Sequence, residues 1–106
     1  MELTGDLLRG HTDMILLAIL NRADAYGYEM NKQIEIASSG EFVLTEATLY
    51  TSFKRLEIKG WVRSYWKESE SGKKRKYYAI TDLGKAMLSQ QVKAWKHAKK
   101  VIDSFI

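Results

Sequence analysis

Up to Gly60 the apolar residues of this chain recur at helical spacing, and immediately after it they do not. Trp61-Val62-Arg63-Ser64-Tyr65-Trp66 and Tyr77-Tyr78-Ala79-Ile80 are rich in aromatic and β-branched residues, the composition of strands. The polar stretch from Lys67 to Lys76, with Gly72 inside it, reads as the long solvated tip of a hairpin. Thr81-Asp82 then caps a helix that runs to the C-terminus. One short hairpin among helices restricts the chain to a mainly α fold with a two-stranded β wing.

The chain contains no proline, so glycine and polar clusters supply the punctuation. A first helix is expected from about Leu3 to Asn21. Leu8, Thr12, Ile15, Leu16 and Ile19 form one stripe, and Leu7, Met14, Leu17 and Ala18 carry apolar character to the other side. Such a helix is buried on more than one side, either by a second subunit or by the rest of its own chain. A second helix follows Tyr26-Gly27-Tyr28, with Met30, Ile34 and Ala37 as its ridge, and stops at Ser38-Ser39-Gly40. A third starts at Thr45, a good N-cap, carries Leu49, Phe53 and Leu56 as its core stripe, and closes at Lys59-Gly60. Helix, helix, helix and hairpin, in that order, make a winged helix-turn-helix over residues 1–80. In that unit the third helix enters the DNA major groove and the hairpin touches the DNA beside it. Residues 81–106 form the last helix.

With 106 residues the chain suits one domain, and 45% apolar residues supply a core. Absent cysteine excludes disulfides, thiolate catalysis and Cys-ligated zinc, and fits a reducing cytoplasm. The longest apolar run, Met14 to Leu20, is far shorter than the roughly 20 residues a membrane span needs. The start, Met1-Glu2-Leu3-Thr4-Gly5-Asp6, lacks the positive region of a signal peptide, so a soluble cytoplasmic domain with no membrane contact is expected. No phosphate-binding glycine loop, dinucleotide fingerprint or zinc-protease motif is present. His11 and His97 fall on different helices and assemble no nucleophile, base and orienter, so both read as ordinary histidines. We therefore expect no catalytic residue, no cofactor, no metal and no enzyme.

The net charge of +4 means little until it is mapped. Opposite the core stripe of the third helix lie Ala47, Thr51, Lys54 and Ile58, flanked by Thr48, Tyr50 and Arg55. Cations reach phosphates or guanine edges and threonine hydroxyls reach either, although such cations also commonly just solvate an exposed face. Lys73-Lys74-Arg75-Lys76 adds a cationic wing, and a basic wing beside a basic helix is the electrostatic footprint of duplex binding. The last helix is longer than one small domain needs, and Leu88, Trp95 and Ile102, with Val92, Ala98 and Phe105, make a seam for a second copy. A homodimer would set two recognition helices about 34 Å apart on a palindromic operator. Trp95 is either plain core of that seam or the lining of a cavity between subunits.

Tyr26-Gly27-Tyr28-Glu29-Met30, Ala47-Thr48-Leu49-Tyr50, Lys54-Arg55-Leu56-Glu57 with Gly60, and Arg75-Lys76-Tyr77-Tyr78 with Ile80-Thr81 and Gly84 resemble the PadR family of bacterial transcription regulators. Within it, Glu46 to Thr51, Ser64-Tyr65-Trp66 and Trp95 are similar to the small multidrug-sensing members that carry one C-terminal helix. That resemblance implies a homodimeric repressor released from its operator by a flat ligand stacked on Trp95, with Met14 and Leu7 facing the pore and Lys54 on the DNA-reading helix. Three positions depart from the pattern. Thr51 stands where most members have proline, Lys73-Lys74-Arg75 where many have glycine and proline, and Lys99 where the multidrug sensor is acidic. Lys99 would repel cationic drugs, so a planar neutral or anionic aromatic is the expected ligand. The alternative is a winged-helix module that binds protein, or a DNA-binding protein without an effector.

Overall fold

The computed structural model describes residue 8 and residues 10–106. Helix α1 spans Thr12–Leu20. The continuous helix expected from Leu3 does not hold, because Gly10 and His11 form a turn in which the His11 N–H donates to the Leu8 carbonyl at 2.8 Å. His11 has φ −112° and ψ 1°, outside the helical basin, and glycine beside it favours the helix poorly. Residues 1–7, including Leu7 and the expected helix start, lie outside the described residues. The neighbours Leu16 and Leu17 are both fully buried, so α1 is covered on two sides within one chain.

A strand that the pattern did not announce follows: β1, Ala25–Tyr26. Tyr26 also caps α2, Gly27–Ala37, where its N–H donates to Glu29 Oε1 at 3.4 Å. Helix α3, Glu46–Ile58, starts at Thr45 as its sequence predicts, and Leu49, Phe53 and Leu56 are fully buried. It stops where Gly60 takes φ +75°, a left-handed conformation that a side chain resists. Strands β2, Val62–Glu68, and β3, Lys74–Ile80, pair antiparallel from Val62↔Ile80 to Glu68↔Lys74. β1 pairs with the far edge of β3, so the expected two-stranded wing is part of a three-stranded sheet of order β1-β3-β2.

The expected long tip is also shorter: only residues 69–73 remain outside the ladder. Charged side chains at 67, 68 and 74–76 disguised strand as loop, because a solvent-facing strand carries charge without loss of pairing. The core joins α1, α2, α3 and the inner sheet face, with Phe53 stacked on Tyr78 at 3.8 Å between ring centroids and 6° between planes. Helix α4, Asp82–Asp103, begins where Thr81 Oγ1 accepts from the Gly84 N–H at 3.0 Å and donates to the Gly60 carbonyl at 2.6 Å. Its first turns pack into the core through Leu88 and Val92, and beyond them the helix leaves the domain. Trp95 is 41% exposed, Ile102 58% and Phe105, past the last turn, 83%.

Candidate nucleic-acid interface

Helix α3 is held by its buried stripe, which fixes what faces outward. Thr45 Oγ1 accepts from the Thr48 N–H at 3.1 Å and donates to Thr48 Oγ1 at 2.9 Å, so the first turn is capped and the Thr48 side chain is fixed. Ala47, Thr48, Tyr50, Thr51, Lys54, Arg55 and Ile58 are all exposed. Thr48, Thr51 and Arg55 border one shallow concavity. Tyr50 lies over α2: a Cβ on Gly27 would come within 2.5 Å of the Tyr50 hydroxyl oxygen. That close approach explains the Tyr-Gly-Tyr sequence better than any turn does.

The two cations on this face differ. Arg55 reaches back to α1, where its guanidinium bonds both carboxylate oxygens of Asp13. The Asp13 hydrogen bond raises the Arg55 pKa above its ordinary value, against the opposing pull of burial. Lys59 Nζ approaches the same carboxylate at 4.0 Å. Lys54 makes no hydrogen bond or ion pair among the described residues and points its charge to solvent. An exposed pair such as Arg55–Asp13 stabilises by about 0–1 kcal/mol, so it holds the guanidinium only weakly.

On the wing, the four expected cations are not a row at the tip. Lys73 is in the tip, and Lys74, Arg75 and Lys76 belong to β3, where side chains alternate between faces. Lys73 and Lys74 are exposed. Lys76 sits 3.9 Å from Glu57 Oε1, whose other oxygen accepts from Ser64 Oγ at 3.1 Å. Arg75 faces the opposite way, donating to Tyr26 Oη at 2.9 Å.

A second group of expected residues meets between α1 and α4. Met14 and Trp95 line an open cavity of about 390 Å³ together with His11, Gln91, Ala98 and Ile102. His11 meets the Trp95 ring edge-on, 5.1 Å between centroids at 65°. The sequence reading missed His11, although its i, i+3 spacing to Met14 places both on one side of the chain. Lys99 is not among the lining residues, and its charge is paired with Asp103 at 2.7 Å. Asp13 was likewise missed as the partner of Arg55. Among the described residues no His, Asp or Glu group gathers that could hold a metal ion, and no helix is long and apolar enough to cross a membrane.

A family model described as the transcriptional regulator PadR-like family matches residues 16–90. The chain is 46% identical over 101 residues to an uncharacterized protein from Lysinibacillus sphaericus, covering 95% of this chain and 93% of that one. A transcriptional regulator from Clostridium thermocellum superposes with a TM-score of 0.87 at 40% identity, covering 95% of this chain and 98% of the other. A PadR family transcription regulator from Clostridium difficile R20291 does so with a TM-score of 0.78 at 39% identity, covering 88% and 95%.

Proposed function

Since the chain belongs to the PadR-like family of transcriptional regulators, DNA-binding proteins rather than enzymes, we propose that it is a homodimeric repressor whose α3 reads a palindromic operator and whose α4 carries the dimer contact. In this reading residues 1–80 bind DNA and residues 81–106 join the two copies. The observation that carries it is the outer face of α3, where Thr48, Thr51 and the uncompensated Lys54 stand exposed opposite a fully buried stripe. Lys73 and Lys74 supply exposed wing cations for backbone phosphates.

The effector enters at the cavity that Trp95 shares with Met14 and His11. A planar neutral or anionic aromatic fits there, with a half-exposed indole to stack on and no carboxylate among the described lining residues. Release requires that such a ligand bind the free dimer more tightly than the DNA-bound one.

The test selects an operator from a random-sequence duplex library with wild-type protein, then measures Lys54→Ala on it. The expected cost is about 1–3 kcal/mol together with a relaxed base preference. An unchanged preference would demote Lys54 to a backbone contact, and failure to select any sequence would reject the repressor reading.

A further inference from the structure

Strand alternation gives the sheet an outer face that, apart from the buried Ala79, neither the core nor α3 uses. Arg63, Tyr65 and Lys67 of β2 stand opposite Ala79, Tyr77 and Arg75 of β3, with Tyr26 of β1 beside Tyr77. The tyrosines form one connected group. Tyr65 and Tyr77 stack at 5.7 Å and 15°, Tyr77 meets Tyr26 edge-on at 5.3 Å, and Tyr26 lies nearly parallel to Tyr28 at 6.5 Å. Tyr28, on the first turn of α2, ends the group and is 65% exposed.

Each ring carries a cation. Arg75 lies 4.6 Å from the Tyr26 centroid, Lys67 5.4 Å from Tyr77, Arg63 5.5 Å from Tyr65 and Lys32 5.8 Å from Tyr28. Lys67 and Arg75 are direct cross-strand partners, and neither has an acidic partner among the described residues. Like charges directly opposite destabilise a sheet, and an anion seated between them removes the repulsion. Two carboxylates border this group: Asp24 accepts from Tyr65 Oη at 2.6 Å, and Glu29, in the first turn of α2, accepts from the Tyr26 N–H at 3.4 Å.

We propose that this face is a second nucleic-acid surface, one that holds a single strand. A backbone phosphate sits between Lys67 and Arg75, and an unpaired base stacks on Tyr28, away from Asp24. Duplex DNA needs only cations and hydroxyls, because its bases already stack on one another. An exposed ring, linked to half-buried ones and interleaved with cations, is what an unstacked base requires. The surface does not share the wing cations Lys74 and Lys76, which project to the other side of β3, and it borders the reading face where Tyr50 lies against Gly27.

The experiment titrates fluorescein-labelled dT20 and U20, and a random-sequence duplex of the same length, with the full chain. At least one single strand binds wild type. Tyr28→Leu weakens that binding about fivefold or more and leaves the duplex within about twofold, and Tyr28→Trp restores it. Lys67→Ala lowers the salt slope for the strand by about 0.7, whereas Lys54→Ala weakens only the duplex. Tyr28 is a surface residue, and unchanged circular dichroism confirms that the variants fold. The proposal is overturned if neither strand binds, if Tyr28→Leu has no effect, or if it weakens duplex and strand equally. The last result would make the face a flank of the duplex site.

Discussion

Gly84 is the residue on which the joint between wing and last helix depends. A Cβ there would lie 2.0 Å from the Trp61 carbonyl oxygen and 2.8 Å from Ile80 Cγ1. The backbone carbonyl cannot move without breaking the bond it accepts from the Thr81 N–H at 3.0 Å. Gly84→Ala should therefore destabilise by about 3 kcal/mol or more, read from the urea midpoint. A midpoint unchanged within error would refute that contact. Tyr78 contributes to the alkaline limit of stability. Burial first, then the negative charge of Glu57, raises its pKa above the ordinary tyrosine value, and Tyr65 is raised by donating to Asp24. A raised folded-state pKa gives stability that is complete below about pH 10 and is lost as pH climbs through the folded value. Tyr78→Phe keeps the stack on Phe53 and should flatten the loss of stability above pH 10 while changing little at pH 7. An equally steep alkaline loss in the variant would assign the effect elsewhere.

At the scale of elements, α3 was legible almost to the residue, because Thr45, the Leu49–Phe53–Leu56 stripe and Gly60 are all local features. The strands were legible by type but not by length, since Lys67, Glu68 and Lys74 to Lys76 are paired residues with loop-like composition. β1, two residues long, has no period to read. The site divides in the same way. Helix spacing picks out the exposure of Lys54, whereas the Arg55–Asp13 pair joins residues 42 positions apart and needs the tertiary fold. Strand alternation also decides which wing cations are available: Lys74 is exposed, while Arg75 is turned onto Tyr26. Lys74→Ala should lower the slope of log affinity against log salt by about one unit and weaken all duplex sequences alike. A slope identical to wild type would remove Lys74 from the phosphate contacts.

The whole molecule measures 54 × 31 × 21 Å, and its radius of gyration is 15.0 Å. A compact chain of this length has about 13 Å. The excess belongs to the outer half of α4, which presents Trp95, Val101 and Ile102 to solvent, with Phe105 exposed just past its end. An apolar surface of that kind asks for a partner, and in the proposed dimer a second copy supplies it. Ile102→Glu should leave the circular dichroism intact, since the residue is exposed in one chain, and should lower the thermal midpoint only by what association adds. The same change should turn a sedimenting dimer into a monomer and reduce operator affinity. If the variant stays dimeric, the seam lies elsewhere. How α4 is anchored has a mechanical consequence. Thr81 is tied to Gly60 at the end of α3 and to Trp61 at the start of the wing, with Gly84 pressed onto the same carbonyl. With 22 residues at about 1.5 Å each, α4 is a stiff arm of roughly 33 Å welded to the reading head. Displacing its tip by about 3 Å turns the head by roughly 5°. In the proposed dimer, a wedge driven between two such arms would be converted, without any loose hinge, into a change in the pitch at which the pair grips DNA.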